Sequence, residues 1–220
     1  KLEPLTSKII LFGSSSRGEN TLDSDIDLLI LSRNKDLVME QIKKINIEDL
    51  LGRSVINLDE RQISKQLRNK VVLVTGAAGS IGSELVRQIA RYAPKKIILL
   101  DQAETPLFHI DLEQAAKSGK TDYETVIGDV RNYGRMERLF NYFKPEYVYH
   151  AAAYKHVPMM ENNPSEAVLT NVLGTKVIAD LSIKFGIEKF VMISSDKAVR
   201  PTSVMGASKR IGEIYVQALN

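Results

Sequence analysis

The sequence predicts an α/β fold with a doubly wound parallel sheet, preceded by a smaller α/β fragment. Three observations predict it. From Lys70 onward, short apolar runs alternate with amphipathic stretches of helical length. A glycine-rich turn, Gly76-Ala77-Ala78-Gly79-Ser80-Ile81-Gly82, joins the first such run to the first such stretch. The chain also changes character near Ile45, before this alternation begins. Repeated β-α units of this length specify a parallel sheet with helices on both faces.

The elements follow in order. Residues 8–12, Lys-Ile-Ile-Leu-Phe, read as a strand, and residues 13–18 as a turn. Residues 25–31 alternate briefly and then run apolar, as a buried strand does. Asn34 is placed to cap a helix that carries Leu37, Val38, Ile42 and Ile45 on one face. Residues 47–67 read as a connector, with a helix after Asp59 whose Ile63 and Leu67 face inward. The expected organisation is therefore a fragment over 1–45, a connector over 46–69 and a nucleotide-binding domain over 70–220.

In the third part, Val71–Thr75 is the first strand. Residues 80–92 form a helix with Ile81, Leu85, Ile89 and Ala93 spaced as one apolar face, stopped by Pro94. Strands follow at 96–101, 124–127, 147–150 and 189–193. Helices are expected at 105–117, 133–143, 164–185 and from Val204 onward. Met136, Leu139, Phe140 and Phe143 supply the apolar face of the second of these.

Composition narrows the function classes. The 220 residues suffice for one large or two small domains, and 44% hydrophobic with 26% charged residues is ordinary for a soluble globular protein. A net charge of +3 supplies no bulk attraction to nucleic acid or membrane. The absence of cysteine excludes disulfides and thiolate metal sites and suits a reducing, cytoplasmic setting. The longest apolar runs are strand-sized, short of the roughly 20 residues of a membrane-spanning helix. No apolar leader core stands at the start, Lys1-Leu2-Glu3-Pro4. His109, His150 and His156 lack metal-ligand spacing and read as structural.

The glycine turn has the G-x-x-G-x-x-G spacing of short-chain dehydrogenases. Strand, turn and helix together place a dinucleotide pyrophosphate on amides at a helix N-terminus, with Gly76, Gly79, Ser80, Ile81 and Gly82 around it. Gly82 is expected to let the helix approach the sheet. Asp101 ends the second strand, where an acidic residue meets the adenosine ribose; its alternative is a cap or loop carboxylate. No arginine directly follows it, which favours NAD over NADP as cofactor. Asp129, followed by Val130, ends the third strand and is placed to accept from the adenine amino group, or to serve as a turn aspartate. Ala151, Ala152 and Ala153 after the fourth strand allow backbone to pass beneath the cofactor, or simply pack closely.

Ser195, Asp196 and Lys197 follow an apolar strand and so sit at the carboxyl edge of the sheet, where ligands bind in such folds. A carboxylate beside an amine there can act as acid and base, though such a pair in a loop is usually only solvated. Lys209 lies four residues after Met205, one helical turn on the same face, where a lysine can reach a nicotinamide ribose or simply decorate the surface.

Three segments carry a resemblance. They are the run of eleven from Thr75, the run Ala151-Ala-Ala-Tyr-Lys-His-Val-Pro, and the run from Ser194 through Met205-Gly-Ala-Ser-Lys-Arg. Together they resemble the nucleotide-sugar 4,6-dehydratases of capsule and lipopolysaccharide synthesis, extended relatives of the short-chain dehydrogenases with a Rossmann fold. Glu48-Asp-Leu-Leu-Gly-Arg also resembles the lead-in to that catalytic domain, so the likeness covers about residues 46–220.

The resemblance implies a UDP-N-acetylhexosamine substrate of the UDP-GlcNAc type. It implies oxidation at C4 by NAD(P), elimination of water across C5 and C6, and return of hydride to C6. In that chemistry Lys197 removes the C5 proton, Asp196 protonates the departing C6 hydroxyl, Ser195 bonds the C4 oxygen and Lys209 orients the nicotinamide ribose. Lys155 is a candidate substrate contact or an exposed lysine. Met205 stands where the usual Tyr-x-x-x-Lys pattern has tyrosine; a thioether cannot accept the C4 hydroxyl proton, so the first base is unassigned. One branch of the family carries Ser-Met-Lys.

The family also has a further substrate domain beyond the point where Asn220 ends this sequence, so the expectation is cofactor binding with little or no turnover.

In the first part, Gly13-Ser14, Arg17-Gly18 and Ser24-Asp25-Ile26-Asp27 resemble the minimal nucleotidyltransferases of the polymerase-β type over residues 6–45. That resemblance implies Mg²⁺ held by Asp25 and Asp27, which stand two apart on a strand and so point to one side. The third carboxylate of that family has no clear counterpart, and the expectation is a catalytically silent half-domain. Two half-families joined near Ile45 suggest a rearranged chain or a natural fusion. An open sheet edge favours a homo-oligomer or pairing with another chain. The alternative functions are a Mg-dependent nucleotidyltransferase and a non-catalytic scaffold that keeps its nucleotide-binding turns.

Overall fold

A computed structural model describes residues 8–12, 27–31, 59–116 and 121–219. The chain divides into two compact units, residues 1–58 and 59–220. In the first, β1 (Lys8–Phe12) and β2 (Asp27–Leu31) form an antiparallel ribbon, with Lys8 opposite Leu31 and Phe12 opposite Asp27. The expected turn at 13–18, the helix after Asn34 and Asp25 lie outside the described residues, as does the side chain of Asp27.

The second unit opens with α1 (Glu60–Leu67), whose first amides bond the carboxylate of Asp59. Five parallel strands follow: β3 (Val71–Thr75), β4 (Lys96–Asp101), β5 (Asp122–Ile127), β6 (Tyr147–His150) and β7 (Lys189–Met192). Their order in the sheet is β5-β4-β3-β6-β7. The chain winds outward from β3 to β5, then crosses back to β6 on the other side of β3. That reversal opens a crevice at the carboxyl ends of β3 and β6.

Alternation along the central strands builds two cores, one on each face. Val72, Val74, Ile97 and Leu99 pack against α1, α2 (Ser80–Ala90) and α3 (Glu104–Ala116), which contribute Leu67, Val86, Ile89, Leu107 and Ile110. Leu73, Ile98, Leu100 and Val148 face the other way. They meet Met136, Leu139 and Phe140 of α4 (Tyr133–Phe143) and Val177, Ile178 and Leu181 of α7 (Thr175–Lys184). Between α4 and α7 stand α5 (Val157–Asn162), α6 (Pro164–Ala167) and a π-helical segment, Val168–Gly174; α8 (Val204–Ala218) closes the described chain.

Two expectations need correction. The inward stripe of α2 is Gly82, Ser83, Val86 and Ile89; Ile81 points to solvent at 54% exposure, and Ala93 lies beyond the helix in a left-handed conformation. The cause is Gly82: a Cβ there would lie 1.9 Å from the carbonyl oxygen of Gly76, so the glycine must face the turn and Ile81 is rotated outward. The single helix expected over 164–185 is instead α6, the π segment and α7, with α5 before them. No helix among the described residues is long and apolar enough to cross a membrane.

Candidate functional site

The crevice begins at the turn after β3. Gly76 adopts φ +66°, and its missing Cβ would fall 2.6 Å from the amide nitrogen of Ala152, so the turn and the alanine run after β6 touch backbone to backbone. Gly79 caps α2 without any side-chain acceptor, so the first-turn amides of Ser80, Ile81 and Gly82 are available to an external anion. Gly79 and Ser80 are exposed, as such a use requires.

Asp101 lies beside this turn. One carboxylate oxygen accepts from the amide of Ala78 at 2.9 Å and the other from the amide of Ala103 at 2.9 Å. The aspartate thus braces the glycine turn from the adjacent strand while remaining half-buried at the rim.

Asp129 is engaged by Arg131, through its amide at 2.8 Å and its Nε at 2.7 Å, and Arg131 also bonds Glu166 at 2.8 Å. Burial opposes the charge on Asp129, but these bonds outweigh it and hold the carboxyl below its usual range. Val130 is buried behind it.

A cleft of about 230 Å³ gathers these groups, with Gly76, Gly79, Asp101, Asp129, Val130 and Ala151 to Ala153 in its lining. Ser80, Ile81 and Gly82 lie beside it at the start of α2 and are not in its lining. Gln102, Tyr154 and Thr170 also line it, three residues that sequence reasoning did not single out.

Behind the cleft runs a buried hydrogen-bonded chain. Asn171, in the π segment, accepts from the amide of Tyr154 at 2.8 Å and donates to its carbonyl at 3.0 Å and to Ser208 Oγ at 2.9 Å. Ser208 donates to the carbonyl of Met205 at 2.7 Å. One amide side chain therefore ties the loop after β6 to the first turns of α8. Thr175 donates to the carbonyl of Asn171 at 2.6 Å and lies 3.1 Å from His150 Nε2. The available signal was a buried asparagine and threonine at inward positions of an otherwise apolar helix, which sequence pattern does not separate from exposed ones.

Ser195, Asp196 and Lys197 lie after β7. Ser195 Oγ donates to Asp196 at 3.0 Å and accepts from the amide of Lys197 at 3.2 Å. Asp196 and Lys197 stand 3.6 Å apart and partly exposed. The serine bond, and then the lysine charge, hold the Asp196 carboxyl below its usual range. Gly206 brings α8 against this loop: a Cβ there would lie 2.2 Å from the carbonyl of Lys197.

Met205 is buried with Met160 and Ala167, and Tyr154 packs on the same cluster. Lys209 is 5% exposed and donates to the carbonyl of Ile193 at 2.6 Å. Burial pulls its ammonium down to about 8, against the opposing influence of Glu213. Lys155 is exposed. Among the described residues no group of His, Cys, Asp and Glu converges as a metal site, and Asp25 and the side chain of Asp27 lie outside them.

Comparison with known proteins gives the family of this chain. Residues 72–220 match a family model described as polysaccharide biosynthesis protein, and residues 1–76 match one described as nucleotidyltransferase domain. The chain is 50% identical over 186 residues to the capsular polysaccharide biosynthesis protein CapD of Staphylococcus aureus, covering 84% of this chain and 31% of that protein. It is 34% identical over 153 residues to an inverting UDP-N-acetylglucosamine 4,6-dehydratase of Campylobacter jejuni, covering 69% of this chain and 44% of that one. The solved structure of DesIV, a dTDP-glucose 4,6-dehydratase of Streptomyces venezuelae with NAD and TYD bound, superposes with a TM-score of 0.59 at 26% identity, over 67% of this chain and 51% of that one. The chain thus spans less than half the length of the two curated relatives, from Staphylococcus aureus and Campylobacter jejuni, and about half of the solved chain.

Proposed function

We propose, from the premise that this chain belongs to the polysaccharide biosynthesis protein family, that its second unit is the NAD-binding and reacting part of a nucleotide-sugar 4,6-dehydratase. The substrate is a UDP-N-acetylhexosamine. The observation that carries the reading is the meeting of the glycine turn, Asp101 and the alanine run in one cleft, at the same sheet edge as Ser195, Asp196 and Lys197.

The residues suit the dinucleotide. A Cβ at Gly76 would strike the backbone of Ala152, and one at Gly82 the carbonyl of Gly76, so these glycines set the tight turn that leaves first-turn amides for the diphosphate. Asp101 holds the adenosine ribose and disfavours a 2′-phosphate, so NAD is preferred to NADP. Lys209 orients the nicotinamide ribose. Bound there, NAD supplies reversible hydride acceptance.

The chain's own residues move the protons. Lys197 takes the proton from C5 of the 4-keto sugar, Asp196 gives one to the C6 hydroxyl, and water leaves. As found, Asp196 and Lys197 form an ion pair. The acid and base forms hold the same total of protons, one moved from lysine to aspartate. A sugar covering the pair removes water and favours that neutral form. Ser195 steadies Asp196, and its role toward the substrate is to bond the C4 oxygen. Residues 1–45 are read as a nucleotidyltransferase-like fragment, 46–69 as a connector and 70–220 as this domain.

The test is calorimetric titration with NAD, NADH and NADP, followed by NMR of UDP-GlcNAc with the NAD-loaded chain in deuterium oxide. Saturable binding of NAD with little or no turnover is expected, and whatever deuterium enters at C5 is abolished by Lys197→Met. A well-folded chain that takes up no dinucleotide overturns the reading. A 4-epimer without 6-deoxygenation overturns the dehydratase assignment alone.

A further inference from the structure

Gln102 and Tyr154 meet across the cleft. Gln102 directly follows β4, and Tyr154 stands four residues beyond β6. In the sheet these strands are not neighbours; β3 lies between them. The 3.3 Å hydrogen bond from Gln102 Nε2 to Tyr154 Oη therefore passes over the carboxyl end of β3, where the glycine turn sits. Both side chains line the cleft that holds Gly76, Gly79 and Asp101.

The two ends are held differently. Tyr154 is fixed by Asn171 at both its amide and its carbonyl, and its ring packs against Met160, Ala167 and Met205. Gln102 is exposed on the loop leaving β4. The tyrosine is a fixed post and the glutamine a movable arm. In the bond as assigned, the phenolic oxygen accepts, so its proton is left to donate, and the amide keeps a second N–H. Both point to an acceptor-only partner. A diphosphate on the turn below presents only acceptor oxygens.

We propose that Gln102 and Tyr154 form a clasp over the dinucleotide diphosphate, opening to admit it and closing on it with two donors. The inference rests on the reading of this cleft as a dinucleotide site. It adds a second set of diphosphate ligands opposite the amides of α2, and it locates resistance to cofactor loss in one side-chain pair. An enzyme that must keep its reduced cofactor until the hydride returns gains from slow release.

The test is stopped-flow displacement of NADH from the wild type, Gln102→Ala, Tyr154→Phe and the double variant, with circular dichroism to confirm folding. Loss of a hydrogen bond to a charged group predicts dissociation about tenfold faster in each single variant. Entry should change by less than about threefold, since affinity differences among related complexes lie mostly in release. The double variant should release NADH faster by less than the product of the two single effects, because the bond between the two side chains couples their donors. Tyr154→Phe keeps the ring packing, so a merely structural role for Tyr154 leaves release unchanged. Wild-type binding with unaltered release in the single variants, or with effects that multiply in the double, overturns the clasp while leaving the cofactor site standing. Absence of NADH binding to the folded wild type overturns the cofactor reading and the clasp with it.

Discussion

Thr75 and His150 are register partners at the carboxyl ends of β3 and β6, and Thr75 Oγ1 lies 2.7 Å from His150 Nδ1, with both residues fully buried. The Thr175 hydroxyl already donates to Asn171, so at Thr175 Oγ1 the histidine must donate through Nε2. Nδ1 is then the acceptor and Thr75 the donor. The ring is a neutral Nε2–H tautomer with every polar atom partnered. Burial, and next the charge of Lys209, pull its pKa down from 6.5 to about 3. Between those values the unfolded chain binds a proton that the folded chain does not, so stability falls as pH drops. This one group contributes a slope of about 1.4 kcal/mol per pH unit in that window. Urea denaturation between pH 4 and 7 checks it: His150→Asn lowers stability throughout, and its slope is shallower than that of the wild type. Nitrogen NMR should show the Nε2–H tautomer with no titration down to about pH 4.

Lys209 gives a prediction of the same sign at higher pH. Its folded pKa is lowered from 10.5 to about 8, so between those values the unfolded chain again holds the extra proton and stability rises with pH. Lys209→Met removes that rise. It should leave the urea midpoint at pH 7 unchanged or higher, because a buried ammonium no longer has to be accommodated. NADH affinity should fall at least about tenfold, as for a lost charge-assisted bond. A variant that is clearly less stable at pH 7 contradicts the burial argument.

Gly82→Ala places a methyl group 1.9 Å from the Gly76 carbonyl oxygen. The backbone of the turn must move, and overpacking of this kind costs about 1–3 kcal/mol or more. Gly134→Ala, in the first turn of α4, meets nothing closer than 3.8 Å and should stabilise by about 0.5–1 kcal/mol. Chemical denaturation of the two variants side by side measures the contrast, and only the first should also weaken NADH binding.

Asn171→Asp keeps the size of the side chain and its acceptor for the Tyr154 amide but removes the donor to the Tyr154 carbonyl and to Ser208. It also buries a carboxylate among groups that offer it little. The expected loss is about 3 kcal/mol or more. Hydrogen exchange should show the loss spread to residues 151–154 and the start of α8. If exchange changes only within the π segment, Asn171 does not couple these elements.

Much of the architecture was legible because it rests on local rules. Strand runs of one polarity, prolines and the glycine spacing place β3, α2, α4 and β6 to the residue or nearly so. The fate of Ile81 was not legible, since a four-residue apolar spacing fits two adjacent helix faces and only the contact of Gly82 with Gly76 selects one. Asn171 and Thr175 were hidden for a similar reason: a polar residue in a helix declares itself buried only when its partners arrive from elsewhere in the chain.

The sequence by itself determined the β-α alternation, the glycine turn after β3 and the chemical identity of the groups after β7, because residue type and spacing along a few turns suffice for each. Tertiary structure alone decided which polar groups meet. The sheet order puts β3 between β4 and β6, and that order brings Gln102 to Tyr154 across 52 positions and His150 to Thr75 across 75. Such pairings follow from crossing the sheet, a long-range event that no local pattern of side chains encodes.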